Sequence, residues 1–247
     1  MYGIAKLLMA AGLAAAAAGA WLKDEPPPPQ KVRVDALDAP MQTPSKVKPF
    51  DVDIDGVVYR VKPRYAYDIS GVVVSLHHSD TWWDYAHKAW GDKLNTMDLC
   101  LAWGDTVRSG AYQDASFHNT QFECHWSYSS ERARARFRND EVSNNHIIVD
   151  DAGLAKAIKD IRVGDQVRLI GYLADYTTFR DGVATGTRVS SETRTDTGPG
   201  ACEVLYLEGF DPVVSANRAW RLTMWAGLLA LALGIAMWIA LPVRAEL

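Results

Sequence analysis

The strongest constraint in this sequence is an uncharged, apolar stretch of twenty residues near its C-terminus, Leu222 to Leu241. At about 1.5 Å of rise per residue, a helix of that length matches the roughly 30 Å hydrocarbon core of a bilayer. Three tryptophans lie near the two ends of the stretch, where indole rings favour the membrane interface: Trp220, Trp225 and Trp238. We therefore predict a transmembrane helix within the C-terminal segment 218–247.

The first 22 residues form a second apolar segment with the features of a secretory signal. Lys6 gives it a basic start, and Ala18-Gly19-Ala20 fits the small-residue pattern of a signal-peptidase site. The segment is also long enough to span a bilayer, so it is either a cleaved signal peptide or a retained signal anchor. Both alternatives predict an inner (cell) membrane protein whose main domain lies on the periplasmic or extracytoplasmic side.

The composition changes after the first apolar segment. Lys23 to Gln30 contains four prolines, which favour an extended polyproline conformation and a semi-rigid spacer. We predict a Pro-rich linker over residues 23–49. Residues 50–217 then form one exported β-rich domain, a length ordinary for a single core.

Alternating and β-branched runs predict the strands of that domain. Phe50 to Val61 shows two such runs around Asp55-Gly56, a turn signal of tight hairpins. Further runs predict strands at 67–76, 97–103, 122–128, 163–173 and 203–210. Residues 150–161 change to a helical period behind an aspartate that can cap the helix. Residues 143–146 are interpreted as a polar turn.

Three strands, one short helix and two more strands follow in the order of the OB-fold. The segment from about 67 to 210 resembles that fold, and Val163 to Leu173 is similar to the fourth strand of many such barrels. The resemblance is one of order and pattern, with no specific family recognised. It implies a mainly β protein: a small OB-like β-barrel with one short helix, flanked by an N-terminal and a C-terminal membrane helix. The insertion His77 to Thr96 departs from the minimal fold, which leaves another small barrel or sandwich as the alternative.

The three cysteines, Cys100, Cys124 and Cys202, are candidates for one disulfide in an exported domain, where disulfides persist. Three pairings are possible, and each leaves one thiol over. Cys100 with Cys124 is favoured because both lie in the middle of neighbouring predicted strands, and Cys124 with Cys202 is nearly as good. The remaining thiol is either buried and inert or a reactive group.

Two surface features suit a binding protein. The predicted loop 77–90 carries four aromatic residues, where OB-like barrels often meet ligands: Trp82, Trp83, Tyr85 and Trp90. Alternatively, these rings cover the barrel. Four arginines would share one face of the segment 131–138 if it were extended, and could contact anionic lipid or an acidic partner: Arg132, Arg134, Arg136 and Arg138.

A metal site is the second hypothesis, because imidazole and thiolate are good ligands for zinc or copper. The residues considered are His77, His78, Asp80, His87, His118 and His125. The first candidates among them are His77, His78 and His125, together with Cys202. No metal-binding spacing motif supports this set, so we predict no cofactor and keep a metal ion as the open alternative.

No catalytic residue is predicted. A Cys-His nucleophile pair is conceivable for Cys202 and His146, and it requires a hydrogen bond between them that only the fold can supply. Asp196-Thr197-Gly198 matches the aspartic-protease tripeptide, yet no apolar strand precedes it and no second copy occurs. We interpret Gly198-Pro199-Gly200 as a turn before the last strand. A hydrolase whose site is assembled from loops remains a second alternative, although the sequence favours a protein that is not an enzyme.

The formal net charge of −4 and the predicted export both argue against nucleic acid as a partner. We therefore expect a membrane-anchored envelope protein, by class an assembly or accessory factor, whose β-barrel domain binds a protein partner or ligand. Its expected partners are a membrane or envelope protein and the lipid bilayer.

Overall fold

The computed structural model describes residues 1–196 and 201–241, which divide into two compact units. One unit comprises the two ends of the chain, residues 1–25 and 215–247, and the other comprises residues 26–214. The composition anticipated this division, because the apolar segments lie at the ends and the alternating patterns lie between them.

The first unit consists of two helices, α1 (Tyr2–Leu22) and α6 (Arg218–Ala240), each long and apolar enough to cross a membrane. They pack antiparallel, and glycines bring the two backbones close together. A Cβ atom at Gly12 would lie 2.5 Å from the backbone nitrogen of Leu231, and one at Gly19 would lie 2.5 Å from that of Met224. Glycine is therefore required where the helices touch.

A four-residue spacing of small residues suggests packing stripes through Ala11, Ala15 and Gly19 in α1 and through Ala226, Ala230 and Gly234 in α6. The structure buries Gly19 and Gly234, whereas Ala11 and Ala226 are exposed. The buried small residues instead repeat mostly at seven-residue spacing: Ala5, Gly12, Ala16 and Gly19 in α1, with Gly227 and Gly234 in α6. Helices that pack along their length bury positions at alternating three- and four-residue spacings, and this pattern repeats every seven residues.

The second unit contains ten strands among its described residues. They are β1 (Met41–Pro44), β2 (Phe50–Ile54), β3 (Val57–His78), β4 (Asn95–Ala102), β5 (Ala115–Asn119), β6 (Cys124–Tyr128), β7 (Val142–Ile148), β8 (Gln166–Arg180), β9 (Val183–Arg188) and β10 (Glu203–Val214). Its α-helices are short: α2 (Tyr85–Trp90), α3 (Gly104–Arg108), α4 (Glu131–Arg136) and α5 (Ala152–Ile158). The prediction of a mainly β domain between two apolar helices is confirmed.

Eight strands form one large sheet, and β5 and β6 form a separate hairpin. Within the large sheet, β3 pairs with β4, β4 with β7, β7 with β10, and β10 with β8, which pairs again with β3. All of these pairings are antiparallel except β7 with β10, which is parallel. Strands β1 and β2 add to β3, and β9 adds to β8.

Close contact between β8 and β10 depends on Gly171. A Cβ atom at this position would lie 2.0 Å from the carbonyl oxygen of Tyr206, so no other residue fits without a backbone shift. The register between the two strands shifts between Leu207 and Gly209 just beyond this contact. Such irregularities bend a sheet.

Two local predictions are confirmed in detail. The β2–β3 hairpin turns at Asp55 and Gly56, whose φ angles of 51° and 78° are those of a tight hairpin turn. Helix α5 begins after Asp151, whose side chain accepts a hydrogen bond from the backbone N–H of Leu154 at 2.7 Å.

One other prediction is wrong, and one is correct only in part. Residues 143–146, interpreted as a polar turn, lie in β7, a buried central strand of the large sheet. The predicted strand 122–128 exists as β6, but it pairs only with β5 among the described strands. Buried hydrogen bonds explain the first error, because they allow Asn144 and Asn145 to sit in a strand interior.

The sequence predicts a linker over residues 23–49. From Pro26 onwards, however, this segment belongs to the second unit. It contributes β1, and Val32 and Leu37 belong to the main apolar core of the second unit. The side-chain amide of Gln166 donates to the carbonyl of Arg33 at 2.9 Å, and its oxygen accepts from the Arg33 N–H at the same distance. This part of the segment is therefore folded onto the β domain.

Candidate functional site

The segment between β3 and β4, residues 79–94, carries the densest group of functional side chains. It contains α2, which begins after Asp84 and ends at Gly91. The Asp84 carboxylate accepts a hydrogen bond from the backbone N–H of His87, as expected of a helix cap. Gly91 has φ 58°, the left-handed conformation that commonly terminates helices. Both ends of α2 are thus fixed by local chemistry.

Four aromatic side chains of this segment are exposed, and we call them the aromatic surface. The exposed fractions are 82% for Trp82, 42% for Trp83, 72% for Tyr85 and 60% for Trp90. Large aromatic rings are normally buried in a folded core. The alternative in which these rings cover the β domain therefore does not describe Trp82, Tyr85 or Trp90.

Contacts beneath the aromatic surface hold it in place. The ring of Trp83 lies 4.7 Å from that of His77, and Trp90 stacks on Phe122 with ring centroids 4.9 Å apart. Gln121 donates to the carbonyl oxygen of Trp83 at 3.2 Å, which joins the segment to the loop between β5 and β6.

A cleft of about 610 Å³ lies beside Trp90, at the C-terminal end of α2. Its lining includes Trp90, Asp92, Tyr176, Arg180 and Arg188. The Arg180 guanidinium donates to the carbonyl of Gly91 at 2.8 Å, and the Arg188 guanidinium lies over the ring of Phe122 at 4.9 Å. The cleft therefore combines an exposed indole with two cationic side chains.

A buried polar network lies below the segment and joins six side chains from β3, α2, β4 and β7. Its members are His77, Asp84, His87, Asn95, Asp98 and His146, all of them buried. Asp84 Oδ2 accepts from His77 Nε2 and from His87 Nδ1, each at 2.7 Å. The Asn95 amide lies 2.8 Å from His87 Nε2, and Asp98 Oδ1 lies 2.6 Å from His146 Nδ1.

The network follows the sheet register, because His77 pairs with Asp98 and Asp98 pairs with His146 across three neighbouring strands. Burial acts to raise the pKa of Asp84, but hydrogen bonds from His77 and His87 outweigh it, and the pKa lies below its usual value. Asp84 is thus a buried carboxylate that two imidazoles and one backbone N–H stabilise.

Only one of the predicted metal ligands belongs to this network. His77 is a member, whereas His78 points to the opposite face, as successive residues of a strand do. Burial lowers the pKa of His78. His125 is exposed on β6 and lies 3.1 Å from Glu123.

Sequence reasoning counted His87 among the histidines of a metal hypothesis without ranking it first, and it missed Asp84 as a member of the network. The available signal was an aspartate placed three residues before a histidine at a helix start, since a capping carboxylate faces the side chain of the third helical residue. The sequence could not show that His77, seven residues earlier on a strand, meets the same carboxylate.

Cys100 and Cys124 form a disulfide, with their Cα atoms 5.9 Å apart. It joins β4 of the large sheet to β6 of the hairpin. Cys202 is the remaining thiol, and its Sγ donates to the carbonyl oxygen of Phe122 at 3.4 Å. Burial raises the pKa of Cys202 to about 11, so the thiol is protonated at neutral pH and a weak nucleophile.

A second cleft, of about 750 Å³, is lined by Cys202, Glu203, Arg194 and residues of the β5–β6 hairpin and β7. Burial raises the pKa of Glu203 to about 8. Its Oε2 atom has no hydrogen-bond partner within residues 1–196 and 201–241. Glu203 is therefore a buried carboxyl group that favours its neutral form at pH 7.

The four candidate arginines do not line one extended face, because residues 131–136 form helix α4. Arg132 and Arg134 are exposed on that helix. Arg136 is 3.4 Å from Asp114, and Arg138 lies 3.1 Å from Glu141. Ser130 caps the helix by accepting from the Ala133 N–H, a signal that the sequence did contain.

The catalytic candidates of the sequence are not assembled in the described part of the chain. The Asp196 carboxylate accepts a hydrogen bond from Ser191 Oγ at 2.8 Å, whereas the predicted turn Gly198-Pro199-Gly200 lies outside the described residues. His146 bonds to Asp98 rather than to Cys202. A Cys-His nucleophile pair is therefore not assembled there.

Comparison with known proteins assigns no function, so a functional conclusion depends on the chemistry of these residues. No protein-family model matches the chain, no curated protein matches its sequence, and no solved structure matches its fold at a significant level.

Proposed function

We propose that this protein is a membrane-anchored envelope protein whose exported OB-type β-barrel domain binds a protein partner through the aromatic surface. The observation that carries the proposal is the exposure of Trp82, Tyr85 and Trp90 on a segment with fixed ends. Tryptophan and tyrosine dominate binding hot spots because each buries a large area with few rotatable bonds.

The OB-type barrel is supported by the strand pairings. The order β3, β4, β7, β10, β8 returns to β3, so these five strands have neighbours on both sides. An OB-fold has its helix between the third and fourth strands, where α5 lies between β7 and β8. The aromatic segment would then be the loop between the first two barrel strands, a position at which such barrels often bind ligands.

Membrane anchoring is supported by α1 and α6, which have 21 and 23 residues and a mostly lipid-compatible surface. Close glycine contacts between the helices favour their association in a bilayer, where apolar surface alone gives little driving force. Export is supported by the Cys100–Cys124 disulfide, since such bonds persist in oxidising compartments.

Preorganisation of the aromatic surface also supports binding. Asp84 caps α2, Gly91 terminates it, and Phe122 supports Trp90 from below. A surface that is already ordered loses less conformational entropy when a partner docks. Arg180 and Arg188 beside Trp90 favour a partner that presents apolar groups together with acidic ones.

Co-purification of the tagged full-length protein from detergent-solubilised membranes tests the proposal. Trp82→Ala combined with Tyr85→Ala removes the two most exposed rings of the surface. Loss of two hot-spot residues should lower the amount of a specific co-purifying protein at least about tenfold. Val183→Ala with Val189→Ala, at exposed apolar positions elsewhere, is the matched control. An unchanged set of partners in the aromatic variant would contradict the proposal.

A further inference from the structure

The buried network contains a group of three potential metal ligands that converge from two elements. His77 Nε2 comes from the end of β3, while a carboxylate oxygen of Asp84 and Nδ1 of His87 come from the start of α2. These ligand atoms all lie within 4.8 Å of one another, and all three residues are buried. Two imidazole nitrogens and one carboxylate oxygen form a ligand set typical of zinc sites with three protein ligands.

The charges of the group suit a cation. As metal ligands the two imidazoles would be neutral, so the ligand set with its carboxylate would carry a net charge of −1, and a divalent ion would change this to +1 while bonding to all three groups. Burial of an ion is tolerated when it is coordinated in this way. The nitrogen ligands favour a transition metal over calcium or magnesium, which prefer oxygen.

Asn95 provides a second, independent observation. Its amide lies 2.8 Å from His87 Nε2, and its Oδ1 atom is buried without a hydrogen-bond partner in the described part of the chain. Oxygen and nitrogen of an amide are exchanged by a half-turn about χ2. With Oδ1 turned towards His87, the amide would accept from Nε2–H and leave the Nδ1 lone pair free for a metal, in exchange for the longer, 3.4 Å hydrogen bond that Asn95 Nδ2 now donates to Asp98 Oδ1. Metal-bound histidines characteristically donate their second nitrogen in this way.

The adjacent loop contains further unsatisfied polar groups. Ser79 Oγ and Thr81 Oγ1 are both buried and have no partner among the described residues. Both residues precede Asp84 in the same loop. Within this loop, the Asp84 N–H donates a hydrogen bond to the Thr81 carbonyl at 3.2 Å. Buried hydroxyls without partners commonly mark an ion or an ordered water.

The size of the group is compatible with metal binding after a small adjustment. Zinc bonds of about 2.0–2.2 Å in tetrahedral geometry separate ligand atoms by roughly 3.3 Å. The two nitrogen-to-oxygen distances are now 2.7 Å, so each would widen by roughly 0.6 Å. Changes of side-chain torsion in His77 and His87 can supply that movement.

We propose that His77, Asp84 and His87 bind a divalent transition-metal ion of the zinc type, with Asn95 orienting His87. The ion would join the end of β3 to α2 and so fix the segment that bears the aromatic surface. The proposal does not require that the aromatic surface bind a partner, and either can fail without the other.

The test is the zinc content and zinc response of full-length protein purified in detergent without chelator. We expect about one zinc ion per chain in the wild type, in line with one three-ligand site. His77→Gln with His87→Gln should lower that content at least tenfold. The matched control is His118→Gln with His125→Gln, which removes an exposed cross-strand histidine pair outside the network and should keep the zinc.

A second measurement keeps the test valid if the His77/His87 variant fails to fold. Wild-type protein is stripped with a chelator, and its Tm is recorded with and without added Zn²⁺. Binding to the folded state should raise Tm by several degrees, because a ligand of the native state stabilises it by mass action. An unchanged Tm in saturating Zn²⁺, or zinc lost from the His118/His125 variant instead, would overturn the proposal.

Discussion

Strands β3 and β4 are buried along most of their paired length, but the two ends of the pair are held by different forces. At one end, Val73 lies opposite Leu101 in an apolar core. At the other end, His77 lies opposite Asp98 in the polar network. Apolar burial stabilises in proportion to area and tolerates exchange of similar residues. A buried polar group stabilises only when its particular partner is present, so the polar end is the more vulnerable one.

The largest expected effect is at the polar end. Asp84→Ala removes the acceptor of His77 Nε2, His87 Nδ1 and the His87 backbone N–H. Breaking a buried polar pair from one side should lower the free energy of unfolding by about 3 to 5 kcal/mol. Urea denaturation measures it, with the exposed Asp80→Ala on the same loop as control. A loss below about 1 kcal/mol would contradict this account of the network.

The apolar end gives the next effect. Leu101 is fully buried in the main core, and Leu101→Ala should lower the free energy of unfolding by about 3 kcal/mol through lost burial and a residual cavity. Leu101→Met, which nearly conserves volume, should cost less than about 1.5 kcal/mol. If both variants lost as much as Asp84→Ala, the distinction between the two ends would fail. The same denaturation assay applies.

Glu203 extends the comparison to a buried group that lacks a complete set of partners. Burial raises its pKa from the ordinary 4.5 to about 8. Between these values the folded chain binds a proton that the unfolded chain releases, so stability should fall as pH rises from about 5 to 8, by up to about 1.4 kcal/mol per pH unit. Glu203→Gln cannot ionise and should flatten that slope in denaturation curves at pH 5, 6.5 and 8. Parallel profiles for the two proteins would contradict the assignment.

The smallest effect concerns the end of α2. Gly91 has φ 58°, which a residue with a Cβ atom adopts at a cost of about 1 kcal/mol. Gly91→Ala should therefore lower the free energy of unfolding by about that amount, and Gly182→Ala, also at positive φ but in the open β8–β9 turn, is the matched control. A larger loss for Gly91 than for Gly182 would indicate that the neighbouring Arg180 side chain cannot move away.

The parts of the fold that could be predicted from the sequence are those in which the signal is local. Asp55-Gly56 marks its hairpin, Asp151 marks the start of α5, and twenty uncharged residues mark α6, because each depends on neighbours in the chain. Strand β7 could not be predicted in this way. Asn144 is buried there only because it bonds to Asn119 and to the carbonyl of Phe122, which are remote in sequence.

The same distinction between local and long-range signals applies to the candidate site. The aromatic surface was predictable because Trp82, Trp83, Tyr85 and Trp90 lie within nine positions of a loop between strands. Two of the histidines considered as metal ligands, His77 and His87, belong to the buried network, but only His77 was among the first candidates. Asp84 was not considered, because it contributes through the cap geometry of a six-residue helix, which no spacing motif indicates. The Cys100–Cys124 pairing was correctly favoured, although Cys124 lies on the hairpin rather than on the neighbouring strand of the large sheet.

Site-specific photo-crosslinking in intact cells tests the central claim most directly. A photoreactive residue at position 82, in the full-length protein, should give an adduct with one predominant protein. The yield should fall at least about tenfold when Tyr85 and Trp90 are both changed to Ala. The same residue at position 183, exposed on β9, should give no such adduct. Equal adducts at positions 82 and 183 would show that the aromatic surface is no more of a binding site than any other exposed part of the β domain.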